Sequence, residues 1–505
     1  VNALWGAAAL LAAALLFVAA WRLQRHGRFE AAAVAIVGAG LVLRLYAGSD
    51  LFIHAWDERF HALVAKHLAE HPLLPTLYEH PVLPYDYRNW RGNHVWLHKP
   101  PLALWLMAAS MRLLGVGEIA MRLPSLLLST VAIFLTYAIG AGLCGRRAGL
   151  LGAAFHAVHG YLLQLPGGRV AVDHVDNALF FFVELGIFLA VLQARAAAGR
   201  SPRRSARAAS WWLWLPAIGA ACGLAVLSKW LPGLLPVPVW LALTWGRQPR
   251  RRVAGGLALI LATCAAVALP WQLHIRHAFP LEARWESAYN LHHLVVPIEG
   301  LGGSPLYYLI KMPRYFGELI VLPVAWLGWQ LLRRALSWRR PIQPPPGGGS
   351  GPDLLPLAVW LLLPYLAFSL AATKLGGYVM IAAPALFLVA ACFWLWLWRL
   401  RPAGRTTAAL RLAVLVLLPL LPLRYTVERL KIRPAYDRNP AWARALRALP
   451  ARLGPGPVVL FHLPEPLEAM FYTSCVAAYE GVPTPAEARR LLDAGYRVVV
   501  LDADA

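Results

Sequence analysis

Two acidic residues, Asp57 and Glu58, follow an apolar stretch at 31–47 and open a long polar loop, which closes on His98-Lys99-Pro100-Pro101-Leu102 before the chain turns apolar again. Ionisable groups at membrane depth are costly, so their presence points first to function. An acidic pair facing a lysine, both beside lipid, suits chemistry on a lipid-linked anion. A carboxylate there can take a proton from an attacking hydroxyl or amine, which is general-base work. Asp57 is the first candidate and Glu58 the second. The plainer reading of Asp57 is an N-cap on an interfacial helix starting near Glu58, with Phe60, Leu63, Val64 and His67 along one face. A cap and a catalytic acid are not exclusive.

Two further groups map to the same membrane edge. Arg169, with Asp173 and Asp176, precedes Phe180-Phe181-Phe182, and Lys374-Leu375-Gly376-Gly377-Tyr378 lies between two apolar runs. Only six of the 48 basic residues are lysines, yet Lys99, Lys229 and Lys374 all fall at membrane-edge motifs. A compact ammonium on a flexible stem suits a phosphate as a point charge. The alternative is snorkelling to headgroups. Either Asp173 or Asp176 could be a second acid facing the cleft, the other capping the helix that follows. Seven histidines lie between positions 54 and 98. They leave a divalent ion possible, but no metal-ligand spacing appears, so no metal site is assigned and no other cofactor is implied.

The elements that must position these groups are membrane helices. The chain of 505 residues is 59% hydrophobic and only 14% charged, where a soluble domain carries about a quarter. Mean hydropathy is +0.54. Apolar runs long enough to span a bilayer are placed at 3–21, 31–48, 123–143, 148–166, 177–194, 211–227, 231–245, 253–272, 314–332, 354–371, 378–398 and 406–423. With possible hidden spans the count is about 11–14. The first run lacks a basic lead and a small-residue cleavage site, so it is expected to be a retained span. The stretch 101–114 is too short to cross and reads as an interfacial or re-entrant helix.

The net charge of +23 is concentrated in arginines of short loops such as 22–30, 144–147 and 246–252. That is the positive-inside bias, not a nucleic-acid surface. It orients 49–122, the 167–176 connection, 273–313, 372–377 and the tail from 424 away from the cytoplasm. Five cysteines show no zinc or redox spacing. The 341–352 segment is a Pro/Gly linker by composition. Beyond 424 the character changes. Val458-Val459-Leu460-Phe461 and Val498-Val499-Val500-Leu501 read as buried strands, and Thr484-Pro485-Ala486-Glu487 caps a helix that stops at Gly495. The expected organisation is a transmembrane unit at 1–424, its 49–122 loop external, and an extracytoplasmic α/β domain at 425–505.

Taken in order, several of these residues resemble the GT-C glycosyltransferases of the protein-mannosyltransferase type, and most of all the bacterial lipid A aminoarabinose transferase group. The matching pieces are Asp57-Glu58, Lys99-Pro100-Pro101-Leu102 with Trp105, Arg122-Leu123-Pro124-Ser125, Arg169 with a following Asp, Gly223-Leu224 with Ser228-Lys229, Tyr307-Tyr308, and Lys374 with Tyr378 and Pro384. Each alone is weak; the ordered set, over roughly 31–400 and the outward tail, is strong. The resemblance implies an all-α polytopic membrane protein of GT-C type with a large first external loop and a small C-terminal α/β domain. It implies an inner-membrane enzyme with an outward active site that moves a sugar, with inversion, from a polyprenyl-phosphate donor to a lipid, glycan or protein acceptor. Asp57 would be the base, and Lys99, Arg169, Lys374 and Tyr378 would hold the donor phosphate. The sequence departs from the family where His98 replaces a frequent Glu, and in the spacing from Arg169 to its Asp. A transporter or flippase of lipid-linked saccharides is the alternative. It would show broken midplane helices in two related halves, whereas the charges here gather at one edge.

Overall fold

The computed structural model describes residues 2–171, 173–198, 204–337 and 352–501. Most of the linker expected at 341–352 lies outside them. In chain order the helices are α1 (Asn2–Arg25), α2 (Phe29–Ala47), α3 (Asp57–Leu68), α4 (Leu102–Leu114), α5 (Glu118–Leu143), α6 (Arg146–Val158), α7 (Gly160–Gln164), α8 (His174–Ala198), α9 (Arg204–Lys229) and α10 (Pro236–Thr244). They continue with α11 (Arg250–Ala278), α12 (Pro280–Val295), α13 (Tyr307–Phe316), α14 (Val321–Ser337), α15 (Leu354–Leu370), α16 (Ala383–Arg399) and α17 (Arg405–Arg429). Among the described residues nine helices are long and apolar enough to cross a membrane, and three shorter apolar ones join them, Leu102–Leu114, Leu231–Thr244 and Leu354–Leu370. The protein is an all-α polytopic membrane protein with a small C-terminal sheet.

Helix α16 is the central post. Nearly all of it from Ala383 to Phe393 is buried, as befits a helix apolar on every side. α1 and α17 lie at the periphery, largely exposed to the surroundings of the bundle. α5 and α6 pack tightly because Gly149 faces the backbone of α5; a Cβ there would run into the Tyr137 carbonyl.

The span expected at 148–166 is broken. α6 stops at Val158, and His159 leaves the helical region with φ −68° and ψ 113°. Its imidazole accepts from the Leu162 amide at 3.4 Å and lies 2.9 Å from the Tyr315 carbonyl. A side chain thus satisfies backbone that apolar surroundings would leave bare. Hydropathy averaged across this break and missed it.

A second layer sits at the helix ends near Asp57. It holds α3, α4, α18 (Ala441–Leu453), β1 (Val458–Phe461), α19 (Pro466–Tyr472), β2 (Ala477–Ala478), α20 (Pro485–Asp493) and β3 (Arg497–Val500). The strands form a parallel sheet in the order β2-β1-β3, with Val459 paired to Ala477 and to Val498. The two-residue β2 carries no periodic signal and was not anticipated. Thr484 and Glu487 form the expected capping box. α17 continues to Arg429, past the expected boundary at 424. Leu63, Leu104, Met107 and Met121 share one apolar core with Leu446, Leu460, Phe471 and Leu491. Lys66 seals the join by donating to the carbonyls of Met470 (2.7 Å) and Thr473 (2.7 Å) at the end of α19. The first polar loop and the C-terminal segment are therefore packed as one layer, which fixes where α3 begins.

Candidate active site

Helix α3 opens at Asp57, with Trp56 in the cap position and no side-chain cap. This sets aside the plainer reading, in which Asp57 is itself the N-cap. Its carboxylate is partly exposed and stays free of the helix.

Glu58, one residue on, turns the other way and is fully buried. It accepts from Arg122 Nε (2.7 Å) and Nη2 (2.8 Å) and from the His54 amide (2.8 Å), and His174 Nε2 lies 3.0 Å away. Arg122 also donates to the carbonyls of Asp50 and Phe52. Burial alone would raise the Glu58 carboxyl, but Arg122 and the hydrogen bonds from Arg122 and His174 outweigh it and hold it well below the usual range. The carboxylate is roofed by Gly168, at φ +69°, where a Cβ would collide with it. Glu58 thus clamps the 48–58 segment onto α5, with both oxygens engaged.

Arg169 belongs to a second closed cluster. Its Nε and Nη2 donate to Asp50 at 2.8 and 3.0 Å, and its Nη1 to the carbonyls of Arg429 and Leu430. Asp50 also accepts from Arg438 (2.8 Å) and the Tyr436 hydroxyl (2.9 Å). Burial opposes ionisation of Asp50, yet His54 and Arg169 keep it strongly acidic. Sequence reading missed Asp50, although it stands at the end of α2 where the membrane-edge argument applies.

Lys374 is also engaged. Buried, its ammonium donates to the carbonyls of Phe368 (3.0 Å), Ser369 (2.7 Å) and Ala371 at the C-terminus of α15. That is a cationic helix cap.

Lys99 differs. Its Nζ lies 3.9 Å from Asp57 Oδ2, with the two side chains 17% and 24% exposed. Among the described residues it has no other ion-pair partner and no hydrogen bond. Across from this pair, Lys229 at the end of α9 donates to both oxygens of Asp176, at 2.8 and 2.6 Å, and sits 5.3 Å from the ring centroid of Tyr378. The charge of Lys99 reaches Asp176, and Asp57 and Asp176 both act on Tyr378. Asp57, Lys99, Asp176, Lys229 and Tyr378 therefore form one electrostatically linked cluster. Asp173 does not join it in the same way. It is buried 2.8 Å from His61 Nδ1 and accepts from the Val175 amide at the start of α8. It is the helix-capping member of the acidic pair.

One pair escaped sequence reading. His98 Nδ1 lies 3.4 Å from Glu286 Oε2 on α12. Both atoms are buried without a hydrogen-bond partner. The His98 ring stacks on Trp90, with centroids 4.3 Å apart. Burial, with Lys99 adding to it, pushes the His98 imidazole well below its usual range. Burial raises the Glu286 carboxyl to about 7 against the pull of Lys99. A helix residue so far along the chain carries no local signal linking it to Lys99.

Among the described residues, three potential metal ligands come together at Glu70, His71 and Glu79. They lie at an exposed edge, and none of the residues of the Asp57–Lys99 cluster belongs to the group.

The sequence profile of the dolichyl-phosphate-mannose-protein mannosyltransferase family matches residues 98–274. An undecaprenyl phosphate-alpha-4-amino-4-deoxy-L-arabinose arabinosyl transferase of Pseudomonas aeruginosa PAO1 is 30% identical over 302 residues, covering 58% of this chain and 49% of that protein. The transferase of the same name from Pectobacterium carotovorum is 27% identical over 397 residues, 76% of this chain and 60% of the relative. The chain thus spans about half the length of the Pseudomonas relatives it matches. In fold it is similar to ArnT from Cupriavidus metallidurans bound to undecaprenyl phosphate, with a TM-score of 0.58 and 17% identity over 92% of this chain and 89% of that one. The chain shares the fold of that protein. A second likeness in fold is the archaeal oligosaccharyltransferase AglB from Archaeoglobus fulgidus, solved with an inhibitory peptide and a dolichol-phosphate, with a TM-score of 0.57 and 13% identity over 89% of this chain and 64% of that one. The matched 98–274 segment carries Lys99, Arg122, Arg169, Asp173, Asp176 and Lys229. Asp57, Glu286, Lys374 and Tyr378 lie outside it.

Proposed function

We propose that this chain is an inner-membrane glycosyltransferase that moves a sugar from a polyprenyl-phosphate donor to a lipid, glycan or protein acceptor on the outer face. The observation that carries the reading is the Asp57–Lys99 pair. It joins a partly exposed carboxylate to a partly exposed ammonium that has no other ion-pair or hydrogen-bond partner among the described residues, while Arg169 and Lys374 are each bound to protein groups. The arabinosyl transferases it is similar to act, by their names, on undecaprenyl-phosphate-linked sugar. The solved relative of the same fold holds undecaprenyl phosphate.

In this reading Asp57 accepts the proton of the acceptor hydroxyl or amine as it attacks the anomeric carbon. The bond from that carbon to the phosphate oxygen breaks, and the polyprenyl phosphate leaves with the electron pair. Lys99 stabilises the phosphate as its charge grows. Attack opposite the leaving group inverts the anomeric centre. Asp176, held by Lys229, stands on the other side, with Tyr378 against Lys229. Arg169 and Lys374 shape the site from behind.

The test is donor binding and sugar transfer by purified protein in lipid nanodiscs. Lys99→Ala should weaken donor binding about ten- to a hundredfold, since a charged hydrogen bond is worth about 1.5–3 kcal/mol. Unchanged donor affinity would remove Lys99 from the phosphate site and with it the basis of this reading.

A further inference from the structure

The site as described leaves one buried carboxylate without work. Glu286 sits on α12 with Oε2 buried, without a hydrogen-bond partner among the described residues, and 3.4 Å from Nδ1 of His98, the residue before Lys99. Lys99 is the one cation whose charge acts on it. The other titratable or charged groups nearby are His98 on the loop before α4 and Tyr289 and His293 on α12 itself. Lys229, from α9, acts on His98 and His293, and the Arg91–Glu299 pair lies beyond Tyr289. Among the described residues none donates a hydrogen bond that would fix Glu286 as a carboxylate, as Arg122 does for Glu58.

We infer that Glu286 exchanges a proton with solvent as phosphate binds at Lys99, taking one up when a phosphate-bearing lipid arrives and releasing it on departure. The inference rests on the assignment of Lys99 to the donor phosphate. In the free protein Lys99 has three carboxylates within its field, Asp57, Asp176 and Glu286, of which Asp176 is already neutralised by Lys229. An arriving phosphate claims the same ammonium and brings negative charge next to a carboxylate in poorly solvated surroundings. Two anions sharing one cation there repel, and the cheapest relief is protonation of the group whose burial already disfavours its charge. Glu286 fits that description, since burial has brought its carboxyl to about 7 even with Lys99 opposing. Asp57 is more open to water than Glu286 and remains the candidate base. His98 does not compete for the proton, because burial and Lys99 keep it neutral. Glu286 is thus a positioning residue for charge, acting through Lys99 without touching the reacting atoms.

The sign follows from linkage. A group whose pKa rises on binding makes the ligand bind more tightly at low pH, and affinity falls as pH rises from the free value near 7 toward the bound value, at most tenfold per pH unit. The measurement is the affinity of purified protein in nanodiscs for a polyprenyl phosphate between pH 6.5 and 8.5, in wild type, Glu286→Gln and Lys99→Ala. The ligand's own titration is common to all three. Wild type and Glu286→Gln should bind alike at pH 6.5, and Glu286→Gln should bind about three- to tenfold more tightly at pH 8.5. Parallel pH profiles would overturn the inference. Lys99→Ala separates the two levels. Weak binding in that variant, together with parallel profiles for the other two, sinks the role of Glu286 alone, whereas full binding sinks the Lys99 assignment beneath it. Should Glu286→Gln fail to fold, calorimetry of the wild type at pH 8 in two buffers of different ionisation enthalpy decides. At that pH a phosphate monoester is already doubly ionised, so net proton uptake supports the inference, and none, or release, contradicts it.

Discussion

At the scale of the residue, adjacent carboxylates have opposite fates. Asp57 and Glu58 are neighbours in sequence, but one meets Lys99 at a partly exposed position and the other is locked between Arg122 and His174. The difference comes from the helix start: positions one apart on α3 point roughly 100° apart, so only one can face Lys99. Glu58→Ala would leave Arg122 buried and unpaired, and breaking one partner of such a pair costs about 3–5 kcal/mol. Thermal unfolding in detergent should show that loss, while Asp57→Asn unfolds near the wild-type temperature. Equal stability of Glu58→Ala and wild type would mean that the clamp is not structural. The Asp-Glu pair was legible in sequence as a functional candidate, but the division of labour was not, because it depends on Arg122, Gly168 and His174, which only tertiary packing brings near.

The helices impose the next level of control through their ends. Lys229 closes α9 on Asp176, and Lys374 closes α15 by filling three of its last carbonyls. Lysines at membrane edges were read from sequence as phosphate ligands as a class. The structure divides them by what lies within reach: a carboxylate for Lys229, bare carbonyls for Lys374, and only a distant carboxylate for Lys99. Lys374→Gln should cost about 1–2 kcal/mol of stability, the upper part of the range for a cation at a helix end, and change donor affinity less than twofold. A tenfold loss of donor affinity with stability intact would return Lys374 to the phosphate site. Long apolar elements were legible from hydropathy, since length and composition suffice for them. Breaks such as His159 were not, because they depend on a partner, Tyr315, far along the chain.

For the whole molecule, the arrangement is a bundle whose proposed active edge lies beside a layer shared between the first loop and the C-terminal segment. The sheet strands β1 and β3 were visible as apolar runs, but the shared core was not, since no periodicity tells which surfaces meet. The proposed placement of this layer outside the cytoplasm follows the positive-inside bias of the arginine-rich loops and is open to test. With Cys475 replaced by Ser, an impermeant thiol reagent applied to intact cells should label Asp86→Cys and spare Arg251→Cys, both exposed positions. The reverse pattern would invert the topology and place the site on the wrong side for an external acceptor. The most direct test of the central claim is turnover of Asp57→Asn with a polyprenyl-phosphate sugar donor, measured beside donor binding. Asn keeps the size of Asp but cannot take a proton. The account predicts that transfer falls about 10²–10⁴-fold, the range for loss of a positioned general base, with donor affinity and unfolding temperature near wild type. Transfer at the wild-type rate would contradict it.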